Sequence, residues 1–231
     1  MVQTKRSMKI LVVGERNRID ELATILPENA EIDAIPFYQN EPLTDYDIVF
    51  DLNFDDVPEL PEPYGNEKDT IIFISSVKMQ LAEVTYFLDD EIHSKIFGIN
   101  ALPTFLGRKL VEVSCLQKND EPLLKETAKK LGWEIAITDD RVGMITPRIV
   151  CMIINEACFT VQEGTATMED IDLGMKLGTN YPYGPFEWAD KIGIKDVYET
   201  LEAVYEDTKD ERYKICPLLK TKYMLSEKFY S

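Results

Sequence analysis

Histidine and positive charge are both scarce in this chain. There is one histidine, His93, in 231 residues, and 25 lysines and arginines face 42 aspartates and glutamates, a formal net charge of −17. Such a balance argues against nucleic acid and anionic membranes as partners, since both attract basic surfaces. Long apolar runs are missing too. Nothing approaches the ~18 residues that suggest a membrane span. The start, MVQTKRSMKILVVG, has only Ile10 to Val13 as its apolar part and no small-residue cleavage site, so it reads as a short tail before a first β-strand. The four cysteines, Cys115, Cys151, Cys158 and Cys216, match no metal or redox spacing. Cys151 and Cys158 are seven apart and share one helix face. All four read as small apolar core residues of a reducing, cytoplasmic compartment, and no metal site is expected.

What is present is a strand–helix alternation followed by helices alone. Strand patterns occupy residues 8–13, 31–37, 47–52, 70–74, 96–99, 110–113 and 133–137. Helical patterns occupy 16–26, 79–88 and 122–132, and the proline-rich stretch 57–66 reads as loop. That spacing predicts an α/β domain with a parallel, doubly wound, Rossmann-like sheet over residues 1–142. After Gly143 the strands stop. Thr146-Pro147 reads as an N-cap and first helical residue. An apolar stripe of Ile149, Val150, Ile153, Ile154, Ala157 and Val161 runs to a glycine stop at Gly164. Thr167-Met168-Glu169-Asp170 reads as a capping box opening a helix that stops at Gly178, and further helices open at Pro185, Asp196 and Pro217. The second domain, 143–231, is all-helical, with the boundary near 139–145.

Several segments carry a resemblance. The run Gly98-Ile99-Asn100 through Leu110-Val111-Glu112-Val113, and in the last third Asn155-Glu156-Ala157, Asp170-Ile171-Asp172, Met175-Lys176-Leu177-Gly178, Pro182-Tyr183-Gly184-Pro185-Phe186-Glu187 and Ala189-Asp190-x-Ile192-Gly193, together resemble the 3-hydroxyacyl-CoA dehydrogenase family. The resemblance implies a Rossmann-like domain that holds NAD, a helical domain that forms a homodimer and one wall of an acyl-CoA site, and a place in fatty-acid metabolism. It puts the family's catalytic histidine on Asn100, its carboxylate partner on Glu112, and a substrate-side serine at Ser75 or Ser76. The family's asparagine at the start of the first C-terminal helix falls on Pro147. Its glycine-rich phosphate turn falls on Gly14-Glu15-Arg16-Asn17-Arg18-Ile19, where Gly14 alone keeps a glycine and Arg16 takes the place of the second. Strand two continues as Ile35-Pro36-Phe37-Tyr38 without the ribose-binding acid, and the family's long helical arm is missing.

The residues themselves set the expectations. Asparagine has no proton affinity useful for general base catalysis near neutrality. Two lost glycines remove the close backbone approach a pyrophosphate needs. Loss of NAD binding and catalysis is therefore expected, with an acyl-thioester site or a non-catalytic partner role retained and a homodimer formed by residues after Gly143. Two alternatives stay open. One is a divergent NAD-dependent dehydrogenase using Glu112, Ser75 and Ser76. The other is a purely structural or assembly role. His93 reads as a surface residue near a helix end.

Overall fold

The structure is a computed structural model that describes residues 7–39, 41–58, 61–86 and 92–230. It divides into two compact units, Met1–Arg141 and Val142–Ser231. Among the described residues no helix is long and apolar enough to cross a membrane.

The first unit is built on one sheet. Its described strands are β1 (Lys9–Val13), β2 (Glu31–Ile35), β3 (Ile48–Asp51), β4 (Ile71–Ser75), β5 (Lys95–Ile99), β6 (Leu110–Cys115) and β7 (Glu134–Thr138). Their order across the sheet is β2-β1-β3-β4-β5-β6-β7. The five strands from β2 to β5 run parallel, β6 turns back antiparallel to β5, and β7 is parallel to β6. The expected parallel, doubly wound sheet is present, with β6 as its one antiparallel neighbour among the described strands. Only ten residues separate β5 from β6, too few for the dozen or more that a parallel crossover needs.

Both sheet faces are covered in the β1–β4 region, which is why these strands are near-continuous Val, Ile, Leu and Phe. On one face Ile10, Val12, Phe50, Phe73 and Phe97 pack with Leu22 of α1 (Arg16–Ala23) and with Leu124 and Ala128 of α4 (Glu121–Leu131). On the other, Leu11, Val13, Val49, Ile72 and Ile74 pack with Tyr64 of α2 (Glu62–Asn66) and with Leu81 and Val84 of α3 (Leu81–Tyr86). The α2 turn sits inside the stretch read as loop. Pro63 in its first turn costs no hydrogen bond there, so a proline-rich segment can start a short helix. The helix expected over 79–88 is seen to Tyr86, and its last two residues lie outside the described residues.

The second unit is helical: α5 (Thr146–Gln162), α6 (Met168–Thr179), α7 (Pro185–Ile192), α8 (Ile194–Thr208) and α9 (Pro217–Leu225). Thr146 is already helical rather than a cap, and Ile145 stands at the N-cap position. Thr167 does cap α6, its hydroxyl accepting from the Asp170 amide. Gly178 lies within α6, which ends instead at Asn180 in the left-handed region. Cys151 and Cys158 are both fully buried. Of the expected stripe on α5, Val150, Ile154 and Ala157 are core, whereas Ile149 is 54% exposed.

Candidate functional site

The ends of β4, β5 and β6 bring together most of the residues that the sequence singled out. The antiparallel register sets Gly98 opposite Ser114 and Ile99 opposite Val113. One step further the Asn100 amide donates to the Glu112 carbonyl at 3.1 Å, so residues twelve apart in sequence become cross-strand neighbours. Both are buried, as are Ser75, Ser76 and Ser114. Gly98 is required for this arrangement. A Cβ there would meet the Ser76 Oγ at 2.1 Å and the Ser114 Oγ at 2.3 Å, so two hydroxyls converge over its Cα. The side-chain oxygen of Asn100 accepts from the Leu102 amide at 3.4 Å. The loop that follows is tied to α1 by the Glu21 carboxylate, which accepts from the Thr104 amide at 2.8 and 2.9 Å.

Ser75 and Ser76 part company. The Ser76 hydroxyl lies over Gly98, while that of Ser75 lies beside Asp55, where it favours the carboxylate without closing a bond of ordinary geometry. Both hydroxyls are buried, and neither has a hydrogen-bond partner among the described residues. His93 is exposed.

The second cluster lies at the ends of β1 and β3, the switch point where the strand order reverses and where doubly wound sheets open their crevice. Here the chain's own groups converge. Gly14 is packed so closely on Leu52 that an added Cβ would stand 3.0 Å from the Leu52 Cβ. The Glu15 amide, at the start of α1, donates to Asn53 Oδ1 at 3.2 Å. Arg16 points into solvent and pairs with Asp20. Arg18 does the opposite. It is 2% exposed, donates to the Leu52 carbonyl and pairs with Asp56 at 3.1 Å, and Asp56 in turn pairs with Lys78 at 2.7 Å. Asp55 accepts from the Val77 and Lys78 amides at 2.9 and 3.2 Å. Burial raises its carboxyl above the usual range, while Lys78 and Arg18 pull it down. Asp51, at the end of β3, takes the Tyr64 hydroxyl at 3.2 Å and the Asn53 amide at 3.2 Å. Burial still pushes it up to about 6, and Asp55 adds to the rise.

None of Asp51, Asp55, Asp56, Lys78 or Tyr64 stood out in the sequence. The signal available was the density of acids in Asp51-Leu52-Asn53-Phe54-Asp55-Asp56 directly after an apolar strand, with arginines two and four residues beyond Gly14.

In the helical unit the motif residues are structural. Asp172 is 5% exposed and caps α7, accepting from the Phe186 and Glu187 amides at 2.9 and 3.1 Å and from the Tyr230 hydroxyl at 2.9 Å. Gly184 is glycine because a Cβ would lie 2.2 Å from the Asp172 carboxyl carbon. Asp190 accepts from the Phe229 and Tyr230 amides, both at 2.8 Å. Asn155 bridges to the segment before α9 through the Lys214 carbonyl and the Cys216 amide.

The architecture is thus a doubly wound α/β unit followed by a helical unit held by a buried polar frame. Residues 143–228 match the family model of the 3-hydroxyacyl-CoA dehydrogenase C-terminal domain. The chain is 41% identical over 95 residues to a 3-hydroxybutyryl-CoA dehydrogenase of Bradyrhizobium diazoefficiens, covering 41% of this chain and 32% of that one. It is 41% identical over 129 residues to the 3-hydroxyadipyl-CoA dehydrogenase of Escherichia coli, covering 54% and 27%. The fold is that of the (S)-3-hydroxybutyryl-CoA dehydrogenase of Ralstonia eutropha, with a TM-score of 0.71 at 22% identity, over 95% of this chain and 94% of the other. The helical unit, over residues 143–228, is thus of the 3-hydroxyacyl-CoA dehydrogenase C-terminal domain family, and the chain as a whole is similar to these dehydrogenases. The matching segments span roughly a third of the length of these two sequence relatives.

Proposed function

We propose that this protein is a 3-hydroxyacyl-CoA dehydrogenase homologue that has given up NAD binding and hydride transfer, and that it serves acyl-CoA metabolism as an acyl-thioester binder or a non-catalytic partner. The observation that carries this reading is the filled crevice at the ends of β1 and β3. The Glu15 amide, which a pyrophosphate oxygen would use at a helix N-terminus, is taken by Asn53. Arg18 is buried and held by the Leu52 carbonyl and Asp56. A dinucleotide does not fit these residues as they stand. Asn100 points the same way, because an amide orients a carbonyl but takes no proton. Calorimetric titration of the full chain with NADH is the test. No binding is expected, and low-micromolar affinity would overturn the reading.

Glu112, buried next to Asn100, favours a second reading: a divergent NAD-dependent dehydrogenase with a carboxylate base. It predicts turnover that Glu112→Gln abolishes.

The protein is further proposed to be a homodimer through its helical unit. Trp188 and Tyr198 are buried within that unit, but Ile149, Leu173, Leu177, Met224 and Leu225 are between 53% and 77% exposed. Large apolar side chains at that exposure supply the apolar area that an association surface needs. Light scattering on the full chain checks it, and a monomer of 26.5 kDa at micromolar concentration would refute the dimer. A soluble cytoplasmic location fits the composition and belongs with this proposal.

A further inference from the structure

β2 is an edge strand, although doubly wound dinucleotide folds usually place a third strand outside the second. In this chain the strand that follows β2 crosses to the far side of β1, and among the described residues nothing pairs with the outer side of β2. Four of its five residues are exposed and Ile35 is half-buried. The Glu31 amide donates to the Met8 carbonyl, and the Ile35 carbonyl accepts from the Gly14 amide. Residues 31, 33 and 35 therefore address β1. In an extended strand alternate residues turn to opposite sides, so the N–H and C=O groups of Ile32 and Ala34 face outward.

The side chains around this edge select what could pair with it. Glu31 and Asp33 lie on one face, where the Tyr46 hydroxyl donates to Asp33 at 3.0 Å. Ile32, 39% exposed, lies on the other with Ala34, and Phe37, 65% exposed, follows the strand. A second copy of this chain is a poor occupant. Antiparallel pairing centred on Asp33 sets carboxylate against carboxylate, parallel pairing does the same at Glu31, and each copy carries −17 overall. Like charges directly opposite in a ladder are destabilising. Acidic side chains guard an edge against its own kind while leaving it open to a strand of the opposite sign.

We propose that the open edge of β2 is a docking site for an extended basic segment of a partner protein, which adds as a strand with lysine or arginine beside Glu31 and Asp33 and apolar residues beside Ile32 and Ala34. Main-chain bonds to Ile32 and Ala34 supply affinity, and the alternating side chains supply selection.

The test uses the full chain and a fluorescent seven-residue peptide of alternating lysine and valine, capped at both ends, followed by anisotropy at about 0.15 M salt. Saturable binding is expected. Ala34→Pro removes an outward N–H and leaves the β1 ladder untouched, so it should weaken binding about tenfold with an unchanged melting curve. Asp33→Lys, a surface change, should weaken it about fivefold. A peptide of alternating lysine and proline, equally charged but poor in ladder donors, should not bind. The proposal is overturned by no binding of the lysine–valine peptide, by equal binding of the two peptides, or by equal binding of wild type and both variants. It is also overturned if Ala34→Pro shifts the chain's own oligomeric state, which would make a second copy the occupant.

Discussion

The two units of this chain spend their buried polar residues differently. In the helical unit, Asp172, Asp190 and Asn155 each join two segments through backbone amides or carbonyls. Apart from the Tyr230 hydroxyl on Asp172, these partners are main chain, present in any sequence with the same backbone. In the α/β unit, Arg18, Asp55 and Asp51 also bond main chain, but a side-chain network is added: Arg18 with Asp56, Asp56 with Lys78, Tyr64 with Asp51. A bond to the backbone survives drift in neighbouring side chains, and a side-chain network does not. On that ground the frame of the helical unit is expected to tolerate substitution better than the side-chain network at the ends of β1 and β3.

The comparison breaks first on activity. On the function proposed above, reduction of acetoacetyl-CoA by NADH is expected to be negligible, because general acid–base catalysis alone contributes about 10²–10⁴-fold and loss of the cofactor would remove more. Asn100→His by itself should restore nothing. Turnover at the rate of an ordinary metabolic enzyme would show that the α/β unit has kept its function under a changed sequence.

A smaller effect sharpens the helical side. Asp172→Ala strands two amides and a hydroxyl at the start of α7 and is expected to cost about 2–4 kcal/mol. The chain has two tryptophans, Trp133 in the first unit and Trp188 in the second. Fluorescence melting of Asp172→Ala in single-tryptophan backgrounds should show the loss at Trp188. Equal loss at both would mean the units unfold as one.

Much of the fold was legible. Apolar strands stand out because both faces of the β1–β4 sheet are covered, and the boundary at Gly143 shows in the change of period. The parallel direction was read, but the reversal at β6 was not, although the ten residues between β5 and β6 were too few for a crossover. The site was legible only where local pattern encodes it. Gly98, Asn100 and Glu112 sit on a hairpin whose register follows from its strands. The Arg18–Asp56–Lys78 chain is invisible, since Arg18 and Arg16 look alike in sequence, yet one is buried and the other solvated.

Arg18→Ala probes that network next. Removing one partner of a buried pair leaves the other's charge poorly compensated, so a cost of about 3 kcal/mol is expected. NADH binding should not appear, because Asn53 still occupies the Glu15 amide. Gain of NADH binding in this variant would show that the crevice is merely plugged, and the contrast between the units would reduce to one side chain.

The smallest effect concerns Asp51. Its carboxyl rises from an ordinary 3.8 to about 6, chiefly through burial. The folded state therefore holds a proton that the unfolded chain releases at lower pH. Stability is greatest below about pH 4 as far as this group is concerned, falls as pH rises through 6, and is flat above. At about 1.4 kcal/mol per pH unit, the rise corresponds to roughly 3 kcal/mol. Asp51→Asn removes the titration and keeps an oxygen for the Tyr64 hydroxyl and the Asn53 amide. It should stabilise the protein by about 1–2 kcal/mol at pH 7, less than the full linkage because an amide is a weaker acceptor than a carboxylate. At pH 4 the variant and wild type should coincide. Urea melts followed by Trp133 fluorescence at both pH values decide it. A destabilised variant at pH 7 would mean that the Asp51 carboxylate is held charged by the network, and that this cluster is better satisfied than its burial suggests.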